Sequence, residues 1–163
     1  MSIAITFSPA ARADIPAILE IEKRSQPEPW TEQSFLEEFD RLHSHLLVAR
    51  LACKAAGEGD PPPPPGGVVG YICYWCVADE IQILNIAVHP DFRRRAVGRT
   101  LLSHAIRTGC DKKAGVAVLE VRGSNIAARR LYESAGFKAV GERPGYYGDK
   151  EEPAILMELT ISR

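Results

Sequence analysis

The sequence predicts an α/β protein on a mixed sheet, and three observations carry that prediction. Strand-like apolar runs alternate with helical stretches along most of the chain. The succession Ile81–Val88, a helical face, then Val116–Val121 is strand–helix–strand, which implies a right-handed crossover and two parallel neighbours. His45–Cys53 and Val68–Val77 read as two antiparallel strands, so the sheet is mixed. The order β-α-α-β-β-β-α-β-α-β-β gives about seven strands.

Each element has a local reason. Ile3–Phe7 alternates weakly and reads as a first strand. Asp14 followed by Pro16 marks a helix start, and Ile15, Ile18, Leu19 and Glu22 fit a helix to about Lys23. Ser25–Pro29 breaks it. Thr31 is the N-cap of a second helix, with Trp30 and Phe35 placed as a hydrophobic staple. Lys54–Gly67 lies between two strands and holds five consecutive prolines, Pro61–Pro65. Such a run cannot join a ladder and predicts an exposed polyproline-II turn. It reads as an insertion in a hairpin within one domain spanning residues 1–163, because neither flank alone can bury a core.

In the run Ile81–Val88, Ile81 and Ile83 share one parity while Leu84, Ile86 and Val88 share the other. A β-bulge near Leu84–Asn85 produces such a slip, and a central strand buried on both faces produces it equally well. Val97, Leu101, Leu102, Ala105 and Ile106 make one helical face, which Gly109 ends or nearly ends. After Val116–Val121, Ser124 or Asn125 caps a helix carrying Ala128, Leu131 and Tyr132. Gly136 supplies a left-handed stop on which Phe137 folds back. Phe137–Gly141 and Ala154–Ile161 are the closing strands.

Composition excludes several classes. The 163 residues are 45% hydrophobic and 25% charged, ordinary for a globular domain with a core. A formal net charge of −1 argues against a general nucleic-acid or membrane-surface binder. No apolar run has the length of a membrane span and Met1–Ile5 lacks a basic start, so the expected location is the cytoplasm. Cys73-Tyr-Trp-Cys76 has redox-motif spacing but lies on a predicted strand, where residues three apart face opposite ways. Neither Cys53 and Cys110 nor the histidines at 43, 45, 89 and 104 form a metal pattern, so no metal is expected.

The chemistry concentrates after Val88. A strand ends at His89-Pro90, a basic turn Arg93-Arg94-Arg95 follows, and Ala96-Val97-Gly98 open a helix. Backbone N–H groups, a helix N-terminus and guanidinium groups aimed at one point favour a phosphate. The Arg93–Arg95 and Arg99 side chains either add charge there or are simply solvated. Glu120 stands inside an apolar strand, where a carboxylate is costly unless bonded or useful. Tyr132 lies in the following helix. Alone, each reads as an edge position or as core packing; beside a phosphate turn on the preceding crossover, they read as chemistry.

At this point the chain resembles the GCN5-related N-acetyltransferase (GNAT) family. Arg93-Arg-Arg-Ala96-Val-Gly98 resembles its coenzyme A motif, R/Q-x-x-G-x-G/A, with Ala96 in place of the first glycine. Asn125 with Leu131-Tyr132-Glu-Ser-Ala-Gly136-Phe137 resembles its N-x-x-A-x-x-L-Y-x-x-x-G-F segment. Pro29-Trp30-Thr31, Asn85 to Phe92, Leu119 to Asn125 and Arg143-Pro-Gly-Tyr146-Tyr147 are similar to the bacterial ribosomal-protein-alanine N-acetyltransferases, the RimI type. The likeness covers almost the whole chain. The proline run is not a feature of that family, and Pro153 stands where an acidic residue is expected.

The resemblance implies a GNAT fold with helices on both sheet faces and strands splayed between the fourth and fifth. It implies acetyl transfer from acetyl-coenzyme A to an amine, with the N-terminal segment of ribosomal protein S18 or a similar peptide as partner, and a monomer. Glu120 becomes the base and Tyr132 the acid toward the departing thiolate. If the bulge exists, it frees the backbone of Ile86, Ala87 and Val88 to become the pantetheine and oxyanion contact, and Arg93 through Thr100 become the pyrophosphate cradle. Asn125 is a cap, a pantetheine contact or both. Trp30, Tyr146 and Tyr147 become the peptide-side wall, with loop packing as the plain alternative. Ala96 fits the cradle if its φ is negative. The rival readings are a lysine or small-molecule acetyltransferase of the same fold, a coenzyme A sensor without turnover, and a polyproline interaction module.

Overall fold

The computed structural model describes residues 4–52, 58–111, 113–147 and 152–162; the side chains of 110, 146 and 147 lie outside that description. Seven strands form one sheet in the order β1-β2-β3-β4-β5-β7-β6, with four α-helices among the described residues. By compactness the chain divides into two units, one of residues 1–73 and 85–102, the other of residues 74–84 and 103–163.

The first unit holds β1 (Ile5–Pro9), α1 (Ile15–Ser25), α2 (Glu32–Phe39), β2 (Ser44–Leu51) and most of β3 (Val68–Val77). The first strand lies two residues later than Ile3–Phe7, and Ile3 lies outside the described residues. Thr31 Oγ1 accepts the Ser34 N–H at 3.1 Å, and the Trp30 and Phe35 rings sit 5.2 Å apart, so cap and staple form as expected. Ile15, Ile18, Ile21, Phe35, Val48, Tyr71 and Ile72 are buried. Of the insertion, residues 54–57 lie outside the described residues. Pro64 has polyproline-II dihedrals, φ −64° and ψ 163°, as the proline run predicted.

The upper part of β4 (Glu80–Val88) and the first turns of α3 (Val97–Asp111) complete this unit. Gly70 seats the helix: a Cβ there would meet Ala87 O at 3.1 Å and Val97 Cγ1 at 3.2 Å. Burial alternates without interruption along β4, with Ile81, Ile83, Asn85 and Ala87 inside. The change of face expected of a bulge at Leu84–Asn85 is therefore not seen. Asn85 takes a core position because its amide is satisfied there, and Ile86 and Val88 take the half-buried face.

The second unit holds the rest of β3, β4 and α3 with β5 (Val116–Arg122), α4 (Ile126–Ser134), β6 (Lys138–Tyr147) and β7 (Glu152–Thr160). Gly109 lies two residues from the end of α3, near its end as expected, and a Cβ at 109 would lie 1.8 Å from Ile81 Cδ1, so glycine there permits close helix–strand contact. Lys113, with φ +66°, makes the turn, and Ala114 N–H reaches Gly109 O at 2.7 Å. Gly136 stops α4 at φ +101°, and Phe137 packs edge-on against Tyr132 at 5.9 Å.

β4 and β5 pair in parallel, as the crossover required, from Glu80↔Val116 to Ile83↔Leu119. The ladder ends there, although β4 continues to Val88 and β5 to Arg122. β5 is instead paired along its full length with β7, from Val116↔Thr160 to Arg122↔Ala154. β6 is longer than Phe137–Gly141 and carries two register shifts, which let it include Arg143 and the backbone of Tyr146 and Tyr147. No helix among the described residues is long and apolar enough to cross a membrane.

Candidate active site

In the first unit, the turn before α3 has the backbone of an anion cradle. Arg94 has φ +61° and Ala96 φ +60°, against −69° at Arg93. Alternation of handedness turns successive N–H groups toward one side, the geometry of a phosphate nest. The N–H groups of Val97, Gly98 and Arg99 have no acceptor within the helix, while Thr100 N–H bonds Ala96 O at 3.0 Å. The condition for an unstrained fit of Ala96, a negative φ, is not met. The alanine occupies a glycine-type conformation at a cost of about 1–2 kcal/mol, and its surroundings hold it there.

The arginine side chains divide their work. Arg93 turns back along the chain, its Nε donating to Val88 O at 3.0 Å and its Nη2 to Ser25 Oγ at 3.1 Å. Arg95 pairs with Asp60 at 3.2 Å and lies over the Phe92 ring. Arg94 and Arg99 are exposed. Arg93 thus steadies the end of β4, and the Arg93 and Arg95 side chains are engaged within the protein.

In the second unit, Glu120 projects from β5 with its side chain 29% exposed, and Arg143 Nη2 of β6 meets its Oε1 at 3.0 Å. Among the described side chains Arg143 is its one partner. Tyr132 is buried on α4. Asn125 Oδ1 accepts Ala128 N–H at 3.1 Å, so the cap is Asn125 and not Ser124. Ser124 serves another end: its N–H reaches Glu152 Oε1 at 2.9 Å, its hydroxyl bonds the same oxygen, and Arg122 reaches Oε2 at 3.3 Å. The Ser124 donors, the hydroxyl foremost, hold the Glu152 carboxyl below its ordinary range. Glu152 stands one residue before Pro153, at the start of β7.

Sequence reasoning missed one cluster. Glu22 is fully buried in the first unit. Its Oε1 accepts Trp30 N–H at 3.1 Å and Asn85 Nδ2 at 3.0 Å, and its Oε2 accepts the Tyr71 hydroxyl. Burial pushes this carboxyl above its usual value, against the bonds from Trp30 and Asn85. The signal was present: Glu22 shares a helical face with Ile15 and Ile18, where a carboxylate is out of place. The Glu120–Arg143 contact had no comparable local signal.

The Acetyltransferase (GNAT) family's sequence profile matches residues 15–137, three quarters of the chain and all of the turn, strand and cap just described. The chain belongs to the GNAT family of acetyltransferases. Its co-substrate is accordingly acetyl-coenzyme A, and the cradle at Arg93–Thr100 fits a diphosphate by backbone alone. Among characterised GNAT relatives, the [ribosomal protein bS18]-alanine N-acetyltransferase of Escherichia coli (strain K12) is 36% identical over 161 residues, covering 96% of this chain and 98% of its own. The N-alpha-acetyltransferase RimI of Mycobacterium tuberculosis is 31% identical over 149 residues, covering 88% and 84%. The crystal structure of the Escherichia coli ribosomal-protein-S18-alanine N-acetyltransferase superposes with a TM-score of 0.80 at 33% identity, covering 98% of this chain and 96% of that one. Ard1 from Thermoplasma volcanium gives 0.84 at 26% identity, covering 99% and 100%.

Within this GNAT frame the predicted residues sort by place. Ile86 to Val88 and Arg93 to Thr100 form one continuous stretch from strand end to helix start. Glu120 and Tyr132 lie on consecutive elements of the second unit. Trp30 is half-buried, its ring tilted against that of Phe35. The side chains of Tyr146 and Tyr147 lie outside the described residues. Cys73 is a buried thiol, pushed up to about 12 chiefly by burial and then by Glu38. Cys76 is half-buried, whereas Cys53 and the Cys110 side chain lie outside the described residues. Among the described residues no group of His, Cys, Asp and Glu is placed to hold a metal.

Proposed function

We propose that this chain is a cytoplasmic protein N-α-acetyltransferase, one catalytic domain across residues 1–163, acting on the N-terminal alanine of ribosomal protein S18. One observation carries the acceptor: near end-to-end likeness to an Escherichia coli enzyme whose name states it. Physical chemistry supports the class. The amine must be neutral to attack a thioester. An α-amino group, with a pKa of about 7.7–8.0, is neutral roughly a quarter of the time at cytosolic pH, and a lysine about one time in a thousand. A weak base is enough for such a substrate.

Each residue then has a role. The backbone N–H groups of the Arg94–Thr100 turn hold the diphosphate. The backbone of Ile86–Val88 takes the pantetheine amides, with Val88 N–H toward the oxyanion. The amine nitrogen bonds the acetyl carbon, and its proton passes through water to Glu120. The carbon–sulfur bond breaks, and the Tyr132 hydroxyl gives its proton to the thiolate. Trp30, Tyr146 and Tyr147 wall the peptide.

Mass spectrometry of a peptide panel incubated with enzyme and acetyl-coenzyme A tests the reading. Peptides beginning with alanine acetylate fastest, on the α-amine. Faster reaction of N-blocked peptides bearing a free lysine overturns it.

A further inference from the structure

The Glu22 cluster calls for more than a packing role. Burying a carboxylate costs several kcal/mol unless donors meet it, and an apolar residue fills the same core position at no such cost. What the carboxylate adds is connection. A single oxygen, Oε1, accepts from Trp30 N–H in the α1–α2 loop and from the Asn85 side chain on β4. Gln26, at the end of α1, closes the circuit: its Nε2 donates to Asn85 Oδ1 at 3.1 Å and lies 3.5 Å from Ile86 O. The α1–α2 loop is thereby fastened at one end by Gln26 directly to Asn85 and Ile86, and at the other by Trp30 to Glu22, whose same oxygen holds Asn85. Tyr71 holds the other oxygen and fixes the carboxylate plane. All these groups belong to the first unit.

We propose that Glu22 and Asn85 are positioning residues for the acceptor: they set the height of the Trp30 segment against the strand end at Ile86, and so the depth to which a peptide N-terminus enters. This rests on the reading of Trp30 as a wall of the acceptor site. The device sits on the acceptor side only. The diphosphate cradle is anchored separately, through Gly70, Arg93 and the start of α3.

Steady-state kinetics and calorimetric binding of an alanine-initiated peptide, with the full-length enzyme, test it. In Asn85→Leu the peptide KM and Kd rise about tenfold while the acetyl-coenzyme A KM stays within about twofold. Gln26→Ala, a half-buried change outside the core, raises the peptide KM about threefold and carries the test if Asn85→Leu does not fold. Glu22→Gln, whose amide oxygen still accepts both donors, stays within about twofold of wild type. Folded variants with unchanged peptide KM overturn the proposal, as does an equal rise in both KM values. Trp30→Ala separates the layers. If it raises the peptide KM and Asn85→Leu and Gln26→Ala do not, only the positioning role falls. If it leaves the peptide KM unchanged, the acceptor-wall reading falls and this proposal with it.

Discussion

Two glutamates of this chain stand in opposite surroundings. Glu22 is sealed in the first unit, with donors from a loop, a strand and a phenol on its two oxygens. Glu120 stands partly open on β5 of the second unit, with one arginine beside it. A sealed carboxylate exchanges protons with solvent only at high cost, so it fixes geometry. An open one meets solvent and keeps a route for proton exchange, as the proposed base requires. Glu120 stands out in the sequence as an acid in an apolar strand, Glu22 only by its place on an apolar helical face; their environments differ.

That contrast breaks or holds under substitution. Glu22→Ala strands three buried donors and lowers unfolding stability by about 3 kcal/mol, read from chemical denaturation. A loss below about 1 kcal/mol breaks the contrast from this side. Glu120→Gln lowers kcat about a hundredfold, equivalent to ~2.7 kcal/mol of barrier, and moves Tm by no more than about two degrees. A large fall in Tm with kcat preserved makes Glu120 structural and reverses the assignment.

The pH dependence sharpens the same comparison. Burial raises the Glu22 carboxyl above its ordinary 4.5, so folding favours its protonated form. Its contribution to stability is fully present below about 4.5 and is lost as pH rises through the folded value. The stability of wild type relative to Glu22→Gln therefore declines as pH rises through that window, as thermal melts of both proteins at successive pH values will show. A difference independent of pH removes the desolvation argument. The smallest effect belongs to the cradle: Ala96→Gly relieves the positive φ, adds about 1 kcal/mol of stability and tightens acetyl-coenzyme A binding, measured by calorimetry. Weaker binding in that variant means the methyl group assists the cradle.

Local rules made much of this molecule legible. The Thr31 cap, the Trp30–Phe35 staple, the Gly136 stop and the β4–α3–β5 crossover all follow from short-range spacing, and all appear. What escaped depends on distant partners. Gly109 stands near the end of α3 as its spacing suggested, but its close approach to Ile81 across the helix–strand interface was not legible. The apolar parity of Leu84, Ile86 and Val88 fitted a bulge or a strand buried on both faces equally well, because nothing local showed that two partners distant in sequence draw Asn85 inward. Arg143 reaches Glu120 through register shifts in β6 that no periodicity announces. At the candidate site the turn from Arg93 to Thr100 was readable as a phosphate cradle, but the handedness of Ala96 was not.

The placement of β7 between β5 and β6 has a consequence for how the chain is made. β5 leaves the ribosome with a neighbour on one side only, and its other edge stays bare until Glu152–Thr160 has been synthesised. Because β6 also takes β7 as its partner, these two ladders close together and late, through non-local contacts that form slowly. A nascent enzyme therefore carries its candidate base on an unpaired edge, and a chain stalled before residue 152 is an aggregation hazard before it is a catalyst.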